Sequence, residues 1–372
     1  MTEKTLFERF LPNIIAYSKQ AQRFEILEAS YALCLDLVTQ FIFGHASGSN
    51  FIQGASRKTH EWLEHYENRY CPEAFWNQEL PRLAKVLNFF GIDLLPKHHA
   101  ASTRYLEDWM MDMCDSADSI LKNALRMPED TPVVYKQVKE GQEKSAPAKN
   151  PQENRLSIAS ELFDHMSGAR EVLGLVVAYT IYYIARHHNA QDHIRAELSA
   201  AGISMKVSPK DTEHAKLPAP SSLDKLPYLA AVLQESFRMR PNSTPLPRVT
   251  PHDRSVSLGG YDDIPPATRV NTFQWLIHRD PSKWDAVDEW RPERWLKENI
   301  TKETNSESRV WAFGGGSRMC LGINYTHYIM RYILVAIFTN FRVTAIENSP
   351  TIQVVPGSLN DKLFVQFTPL AD

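Results

Sequence analysis

The chain has 372 residues, enough for one large domain or two ordinary ones and enough to bury a cofactor. Lysine and arginine total 41 against 44 aspartates and glutamates, a formal charge of -3, which argues against nucleic acid or an anionic membrane as the main partner. The four cysteines lack C-x-x-C spacing, which argues against a structural zinc site or a disulfide framework and favours a reducing, intracellular compartment.

The N-terminal half is predicted to be helical. Residues 1–10 lack the apolar run of a signal peptide or of a membrane span, so we expect no anchor in this chain. Apolar residues then recur at helical spacing over residues 5–45, which predicts two helices that end at Gly44, and the helical spacing continues over residues 62–127.

A polar segment at residues 136–157 separates the two halves. It contains lysine, glutamate, glutamine, proline and asparagine with few large apolar side chains, so it can bury little surface. We predict a solvated loop here, inside a single domain that spans residues 1–372.

The C-terminal half begins with a long predicted helix over about Ile158–Leu198, whose apolar run at residues 172–185 is too short to span a bilayer and is predicted to be buried in the core. Another helix is predicted from Pro227 to just before Pro241. Alternating runs at residues 255–258 and 268–272 predict a small hairpin. A last helix is expected from near Cys320 to about Asn340, followed by short strands.

The strongest local signal is a glycine-rich loop that leads into this last helix. It reads Phe313-Gly-Gly-Gly316-Ser-Arg318-Met-Cys320-Leu-Gly322. A cysteine at a helix start gains N–H donors and the positive end of the helix dipole, which favour a thiolate able to bind iron. The glycines allow the backbone to approach a flat ring closely, and Arg318 suits an anionic group such as a propionate.

This loop resembles the haem-binding signature F-x-x-G-x-R-x-C-x-G of the cytochrome P450 family at all five fixed positions, and a chance match in a chain of this length has a probability on the order of 10⁻⁴ or less. A glycine-rich turn with a buried cysteine is the alternative reading, and a phosphate-binding loop fits worse because no G-K-[ST] follows. The resemblance implies haem b (iron protoporphyrin IX) as cofactor, with Cys320 as its iron ligand.

Glu235 and Arg238 stand three residues apart on the helix that begins at Pro227, so they share one face and can pair. By itself this pattern is weak, and its ordinary reading is an exposed ion pair. Its order before Pro292-Glu-Arg294-Trp295 resembles the family's E-x-x-R and P-E-R-F elements. The resemblance implies a buried triad of Glu235, Arg238 and Arg294 that braces the cysteine loop, with Arg291 as a weaker candidate for the third position.

Two further segments resemble functional parts of the family. Arg248 falls where a second propionate-binding arginine often stands, although a solvated surface arginine is an equal reading. The oxygen-binding turn A-G-x-[DE]-T corresponds to Gly168-Ala169-Arg170-Glu171-Val172, which implies that Ala169, Glu171 and Val172 lie at the catalytic position. The acid is kept, but valine replaces the threonine whose hydroxyl helps to deliver protons.

The resemblance begins only after the family's N-terminal third, and the helix that carries the family's W-x-x-x-R propionate contact is not recognised. The expected fold is therefore mainly α, a cytochrome P450 fold with a small β region that is truncated at its N-terminus. Because one wall of the haem pocket is then unaccounted for, a non-catalytic remnant is one alternative function.

The resemblance implies a monooxygenase that oxidises a hydrophobic small molecule in fungal secondary metabolism, with electrons from NADPH through NADPH-cytochrome P450 reductase. A monomer is expected, at the cytoplasmic face of the endoplasmic reticulum or in the cytoplasm, and peripheral membrane association stays open. The valine at position 172 leaves a second alternative, a haem-thiolate isomerase, dehydratase or coupling enzyme that inserts no oxygen.

Overall fold

The computed structural model describes residues 1–20, 22–54, 57–69, 73–123, 127–145, 150–207, 216–241, 248–297, 310–346 and 362–370. These residues are mainly helical with three small antiparallel sheets, which confirms the predicted fold class. The chain forms two compact units, each of which we describe by itself: unit 1 is Met1–Asn13 with Tyr31–Glu171, and unit 2 is Ile14–Ser30 with Val172–Asp372. The single domain over residues 1–372 stays a prediction.

The N-terminal residues and unit 1 are helical, as the apolar spacing predicts. The helical segments are Thr2–Lys4, a π-helical turn Thr5–Phe10, Leu11–Lys19, Ile26–Phe43, Arg57–Asn68, Ala74–Glu79, Pro81–Phe89, Lys97–Lys122, a 3₁₀ turn Pro128–Asp130, Val133–Ser145 and Pro151–Gly168. Gly44, with φ of 86°, follows the helix Ile26–Phe43, and this left-handed conformation explains why the helix stops there.

The core of unit 1 forms where helix Lys97–Lys122 packs against helices Arg57–Asn68 and Pro151–Gly168. Leu106, Met110 and Cys114 recur at i, i+4 spacing on its buried face, so the helix presents one apolar stripe to its neighbours.

The predicted solvated loop at residues 136–157 is wrong. Residues 136–145 belong to the helix Val133–Ser145 and residues 151–157 to the helix Pro151–Gly168, while residues 146–149 lie outside the described part of the chain. Lysine, glutamate and glutamine are good helix formers, and a helix needs only a narrow buried stripe, here Tyr135. The exposed face is held by ion pairs such as Lys139 Nζ to Asp118 Oδ1 at 2.6 Å. The low apolar content therefore indicates a solvated helix.

The long helix of the C-terminal half is interrupted twice. After Pro151–Gly168 comes one π-helical turn, Ala169–Leu173, then helix Gly174–Arg186, whose nearly complete burial agrees with the predicted core helix. His187 leaves the helical conformation (φ −121°, ψ 83°), and a separate helix runs over His188–Ala200. The apolar spacing predicted one helix because it continues in phase across both interruptions.

Unit 2 contains the remaining elements. Its helical segments beyond residue 200 are Pro220–Leu223, Pro227–Met239, Gln274–Ile277, the 3₁₀ turns Pro292–Trp295 and Gly316–Arg318, and Ile323–Asn340. Its strands are Phe24–Glu25, Arg248–Val249, Val256–Leu258, Tyr261–Ile264, Arg269–Val270, Phe341–Ala345 and Phe364–Pro369. The helices predicted after Pro227 and after Cys320 are confirmed, the second one beginning at Ile323.

The small sheets differ in part from the predicted hairpin. Val256–Leu258 pairs with Tyr261–Ile264, not with residues 268–272. Gly259 and Gly260, with φ of 61° and 85°, form the tight two-residue turn that joins these strands. Arg269–Val270 pairs instead with Arg248–Val249. The C-terminal sheet has the order Phe24–Glu25, Phe364–Pro369, Phe341–Ala345, all antiparallel.

Among the described helices, Ile26–Phe43 is long and apolar enough to cross a membrane. However, 72% of this helix is buried inside the fold. A buried core helix explains its apolar composition without a bilayer.

Candidate functional site

The cysteine loop, residues 311–322, is a sequence of tight turns. Gly314 and Gly316 have φ of 70° and 65°, a conformation that suits glycine and strains other residues. The 3₁₀ turn Gly316–Arg318 follows, and the N–H of Cys320 donates to the carbonyl of Phe313 at 2.9 Å. The chain therefore folds back on itself immediately before the cysteine.

The thiol of Cys320 is exposed on unit 2, whereas the two other described cysteines, Cys34 and Cys114, are buried. The helix begins at Ile323, three residues after the cysteine, and within the described residues the sulfur receives no hydrogen bond. The expectation of N–H donors at a helix start is therefore not met here, because a turn separates Cys320 from the helix.

The surroundings of the sulfur fit the face of a flat apolar ring. Leu321 is 84% exposed and Met319 is 50% exposed, so two apolar side chains flank the thiol without covering it. A Cβ at Gly316 would meet nothing within 4 Å, while one at Gly322 would lie 3.7 Å from the sulfur. An exposed thiol among uncovered apolar groups suits a porphyrin ligated through sulfur.

His278 and Gln274 hold the start of the cysteine loop. The N–H of Trp311 donates to Nε2 of His278 at 2.8 Å, and Nε2 of Gln274 donates to the carbonyl of Trp311 at 2.7 Å. Burial lowers the pKa of His278 to about 4, so this ring is neutral near pH 7 and its Nε2 is free to accept. Sequence reasoning treated His278 as structural but did not find its contact with the loop.

The structure brings Glu235, Arg238 and Arg294 together, with residue exposures of 0%, 0% and 4%. Arg238 donates through Nε to Oε2 of Glu235 at 2.9 Å and through Nη2 to Oε1 at 2.8 Å, a bidentate pair. Nε of Arg294 donates to Oε1 of Glu235 at 3.1 Å. One carboxylate thus joins two buried guanidinium groups.

Three neighbours complete this network, and the sequence did not identify their roles. The indole N–H of Trp295 donates to Oε2 of Glu235 at 2.9 Å, and Nη1 of Arg294 donates to Oδ1 of Asp285 at 2.8 Å. Arg291 contributes its backbone N–H to Oε1 of Glu235 at 2.9 Å, while its side chain pairs with Asp285. Arg291 is therefore not the third arginine of the triad.

The triad is connected to the cysteine loop by two routes. Nη1 of Arg238 donates at 2.9 Å to the carbonyl of His278, the residue that accepts from Trp311. On the same helix as the triad, the ring of Phe237 lies 4.9 Å from that of Phe313, edge to face. One polar and one apolar contact thus hold the cysteine loop in place against the helix Pro227–Met239.

Arg318 and Arg248 are both exposed, Arg318 at the end of the 3₁₀ turn and Arg248 in the strand Arg248–Val249. Exposed guanidinium groups fit the anionic propionates expected of haem b. The exposed thiol of Cys320 and these two guanidinium groups of unit 2 therefore fit this cofactor.

The oxygen-binding turn expected from the sequence coincides with the π-helical turn Ala169–Leu173. In unit 1, the carboxylate of Glu171 accepts hydrogen bonds from the hydroxyl of Tyr66 and from Nη2 of Arg69, the second at 3.2 Å. Ala169 and Val172 are half-buried, and Gly168 is exposed. π-Helical turns occur frequently at functional sites. Tyr66 and Arg69 lie far from Glu171 in sequence, and no motif pointed to them.

A polar cavity of about 500 Å³ lies in unit 2, between the helix Pro220–Leu223 and the first turns of the helix Ile323–Asn340. Its walls include Asp224, His327 and Arg331 but neither Cys320 nor Arg318. This cavity is therefore not the place where the cysteine would meet a porphyrin.

Comparison with known proteins agrees with this geometry. The sequence profile of the family described as "Cytochrome P450" matches residues 7–365. The chain is 32% identical over 187 residues to "Cytochrome P450 monooxygenase sdnE" of Sordaria araneosa, covering 50% of this chain and 34% of the relative. It is 33% identical over 179 residues to "Cytochrome P450 98A1" of Sorghum bicolor, covering 46% and 32%.

A third relative is "Cytochrome P450 monooxygenase cicH" of Emericella nidulans, 29% identical over 209 residues, or 55% of this chain and 39% of the relative. The matched segments thus span little more than a third of the length of these relatives. The family profile nevertheless covers nearly the whole chain and includes the cysteine loop and the triad. By sequence and by structure, the chain belongs to the cytochrome P450 family.

Proposed function

We propose that the chain acts as a haem-thiolate monooxygenase on a hydrophobic small molecule. The observation that carries the proposal is the thiol of Cys320, exposed on a glycine turn whose position is set by a buried ionic network. The fungal relatives named as monooxygenases support the same reaction type.

In this proposal, haem b would be held by Cys320 through its iron and by Arg318 and Arg248 through its propionates. Phe313, Gly316 and Gly322 would shape the surface beneath the ring. A thiolate ligand donates electron density to the iron, and the bound haem then supplies oxygen activation. The triad Glu235, Arg238 and Arg294 acts only by holding the loop in place.

Glu171 is the proposed acid of the proton path, with Ala169 and Val172 as the neighbouring catalytic positions. Its carboxylate is partly exposed, so a proton can reach it from water. The hydroxyl of Tyr66 and the guanidinium of Arg69 fix its orientation. Ser167, whose buried hydroxyl has no hydrogen-bond partner among the described residues, is the proposed replacement for the absent threonine hydroxyl.

The partners follow from the family. We propose electron supply from NADPH through NADPH-cytochrome P450 reductase, and a monomeric chain inside the cell at the cytoplasmic face of the endoplasmic reticulum or in the cytoplasm. A role in secondary-metabolite biosynthesis is proposed from the resemblance to fungal members of the family. The alternative without oxygen insertion rests on Val172, and the alternative without catalysis rests on the part of the family pattern that was not recognised. The names of the fungal relatives do not favour either alternative.

A carbon monoxide difference spectrum of the reduced, haem-loaded chain tests the proposal. A band near ~450 nm is expected from cysteinate ligation. Cys320→Ser should remove the band. Cys114→Ser is the matched control: its thiol is buried, which raises its pKa to about 12 and keeps it protonated, so the band should remain. A wild-type band near ~420 nm, or a band that survives in Cys320→Ser, would refute the proposed ligand.

A further inference from the structure

Arg170 is a buried guanidinium without a counter-charge. The residue is 4% exposed, and its Nε is completely buried with no hydrogen-bond partner. Within the described residues, nothing accepts a hydrogen bond from this side chain, and no carboxylate forms an ion pair with it. Buried charges are ordinarily paired and hydrogen-bonded, and arginine cannot escape the cost by losing its proton.

Two tyrosine rings provide the only compensation within the described part of unit 1. The guanidinium carbon of Arg170 lies 4.3 Å from the ring centre of Tyr66 and 4.9 Å from that of Tyr31. Such cation–π contacts recover part of the desolvation cost, but they leave the five N–H donors of the guanidinium without acceptors. The surroundings of Arg170 are thus aromatic, and among the described residues its N–H groups have no acceptor.

The neighbouring carboxylate does not meet this requirement. Glu171 follows directly in sequence, but its carboxylate binds Tyr66 and Nη2 of Arg69. Arg69 also lies over the Tyr66 ring, with its guanidinium carbon 4.6 Å from the ring centre. Within the described residues this carboxylate therefore does not pair with Arg170.

The cluster is reachable from outside. The side chains of Arg69 and Glu171 are 24% and 36% exposed. A ligand that enters beside them meets aromatic walls, since the guanidinium of Arg69 also lies 4.9 Å from the ring centre of Phe163. Apolar walls with one well-placed charged group are typical of sites for amphiphilic small molecules.

We propose that Arg170 binds the carboxylate of the ligand, and that the substrate is a hydrophobic carboxylic acid. The identification of this ligand as the substrate rests on the proposed function. Arg170 stands on the same π-helical turn as Glu171, so the anionic end of the ligand would lie beside the proposed proton path. The planar fork of a guanidinium accommodates a carboxylate in bidentate fashion.

Trp62 stacks on Tyr66 with ring centres 4.9 Å apart, so the part of the fluorescence that Trp62→Phe removes from the signal of the eight tryptophans reports on this cluster without haem. The purified chain is titrated with acetate, benzoate and decanoate, each beside its methyl ester. Saturable binding is expected for benzoate or decanoate, at least about tenfold tighter than for the ester, because a charge-assisted hydrogen bond is lost in the ester. The inference is overturned if none of the three acids binds more tightly than its ester.

Arg170→Gln should weaken acid binding about tenfold or more and leave ester binding unchanged, and Arg170→Lys should restore part of the affinity because it keeps the charge. The matched control is Arg240→Gln. Arg240 is a buried arginine 3.7 Å from the ring centre of Tyr179, but it donates to the hydroxyl of Tyr183 at 3.1 Å. Equal loss of acid binding in the Arg240 variant, or none in Arg170→Gln, would overturn the inference.

The carbon monoxide spectrum of the same preparations separates the two proposals. A band near ~450 nm together with no preference for acids refutes the carboxylate site alone. A preference for acids that depends on Arg170, without that band, refutes the haem-thiolate function alone. If Arg170→Gln does not fold, Arg170→Lys carries the test, since it should bind acids more weakly than wild type yet more tightly than their esters.

Discussion

Two carboxylates of this chain have similar partners but different surroundings. Glu235 is fully buried and accepts from two arginines, one indole and one backbone N–H, at distances of 2.8 to 3.1 Å. Glu171 is partly exposed and accepts from one arginine and one phenol. The first arrangement uses all acceptor positions and fixes a scaffold, whereas the second lies where water reaches the carboxylate.

The largest effect is expected from replacing Glu235, the fully buried carboxylate at the centre of the network. Glu235→Gln keeps the shape but leaves Arg238 and Arg294 as buried charges. Removing one partner of such a pair typically costs about 3–5 kcal/mol. The free energy of unfolding, measured by urea denaturation of the helical signal, should fall by this amount.

Asp253→Asn is the control for this change. Asp253 pairs with Arg254 at 3.4 Å on the surface, with side chains 73% and 69% exposed. Exposed pairs contribute about 0–1 kcal/mol, so the control should be nearly as stable as wild type. If both variants lost the same small amount of stability, the contrast between buried and exposed carboxylates would be broken.

The buried network is also the part that sequence reasoning predicted best. E-x-x-R places Glu235 and Arg238 on one helix turn, the resemblance to the family added Arg294 and the burial of the triad, and glycines mark the turns of the cysteine loop. The helix boundaries near Pro227 and Asn340 were predicted for the same reason, since proline and the end of apolar spacing act locally.

The cluster around Glu171 was not predicted because its contacts connect distant parts of the chain. Tyr66 and Arg69 lie about a hundred residues earlier, Tyr66 on the helix Arg57–Asn68 and Arg69 directly after it, and the spacing of this helix shows only that one face is buried. The strand partner of residues 256–258 was missed for a related reason, since a two-residue glycine turn decided the pairing over a longer connection.

The next effect concerns the contact between the network and the cysteine loop. Burial lowers the pKa of His278 from 6.5 to about 4. Between pH ~6.5 and ~4 the unfolded chain therefore binds a proton at His278 that the folded chain does not bind. The contribution of the neutral ring to the free energy of unfolding is thus fully present above pH ~6.5 and is lost as the pH falls towards ~4. In His278→Gln, the free energy of unfolding should fall less steeply over this pH range, by about 1.4 kcal/mol per pH unit.

Urea denaturation at several values between pH 4 and pH 7 measures this slope. The oxygen of glutamine can still accept from the N–H of Trp311, so the loop contact is kept while the titration is removed. His327, whose pKa burial also lowers to about 4, is the matched comparison, and His327→Gln should reduce the slope similarly. An unchanged slope in His278→Gln would show that this ring is not buried in its neutral form.

A smaller effect on stability is expected at the partly exposed carboxylate of Glu171. Tyr66→Phe removes the hydroxyl that donates to Glu171 while keeping the ring that lies against Arg170. Because Glu171 is partly exposed, water can replace the lost donor, and the free energy of unfolding should fall by only about 1 kcal/mol. Tyr105→Phe is the control: its ring stacks on His65 with centres 4.1 Å apart, and its hydroxyl has no hydrogen bond within the described residues. A loss as large as that of Glu235→Gln would mean that Glu171 belongs to the scaffold.

The smallest effect is expected at the edge of the buried network. Asp285 binds Arg294 at 2.8 Å and also pairs with Arg291, and the hydrogen bond from Arg291 is the main cause that lowers the pKa of Asp285. Its side chain is nevertheless 60% exposed, so water screens the pair, and Asp285→Asn should cost less than about 1 kcal/mol in urea denaturation. In Asp285→Asn, Arg294 keeps its bond to Glu235, whereas Glu235→Gln removes the carboxylate that balances both arginines. A cost for Asp285→Asn near that of Glu235→Gln would therefore show that the network is stabilised from its rim and not by the carboxylate at its centre.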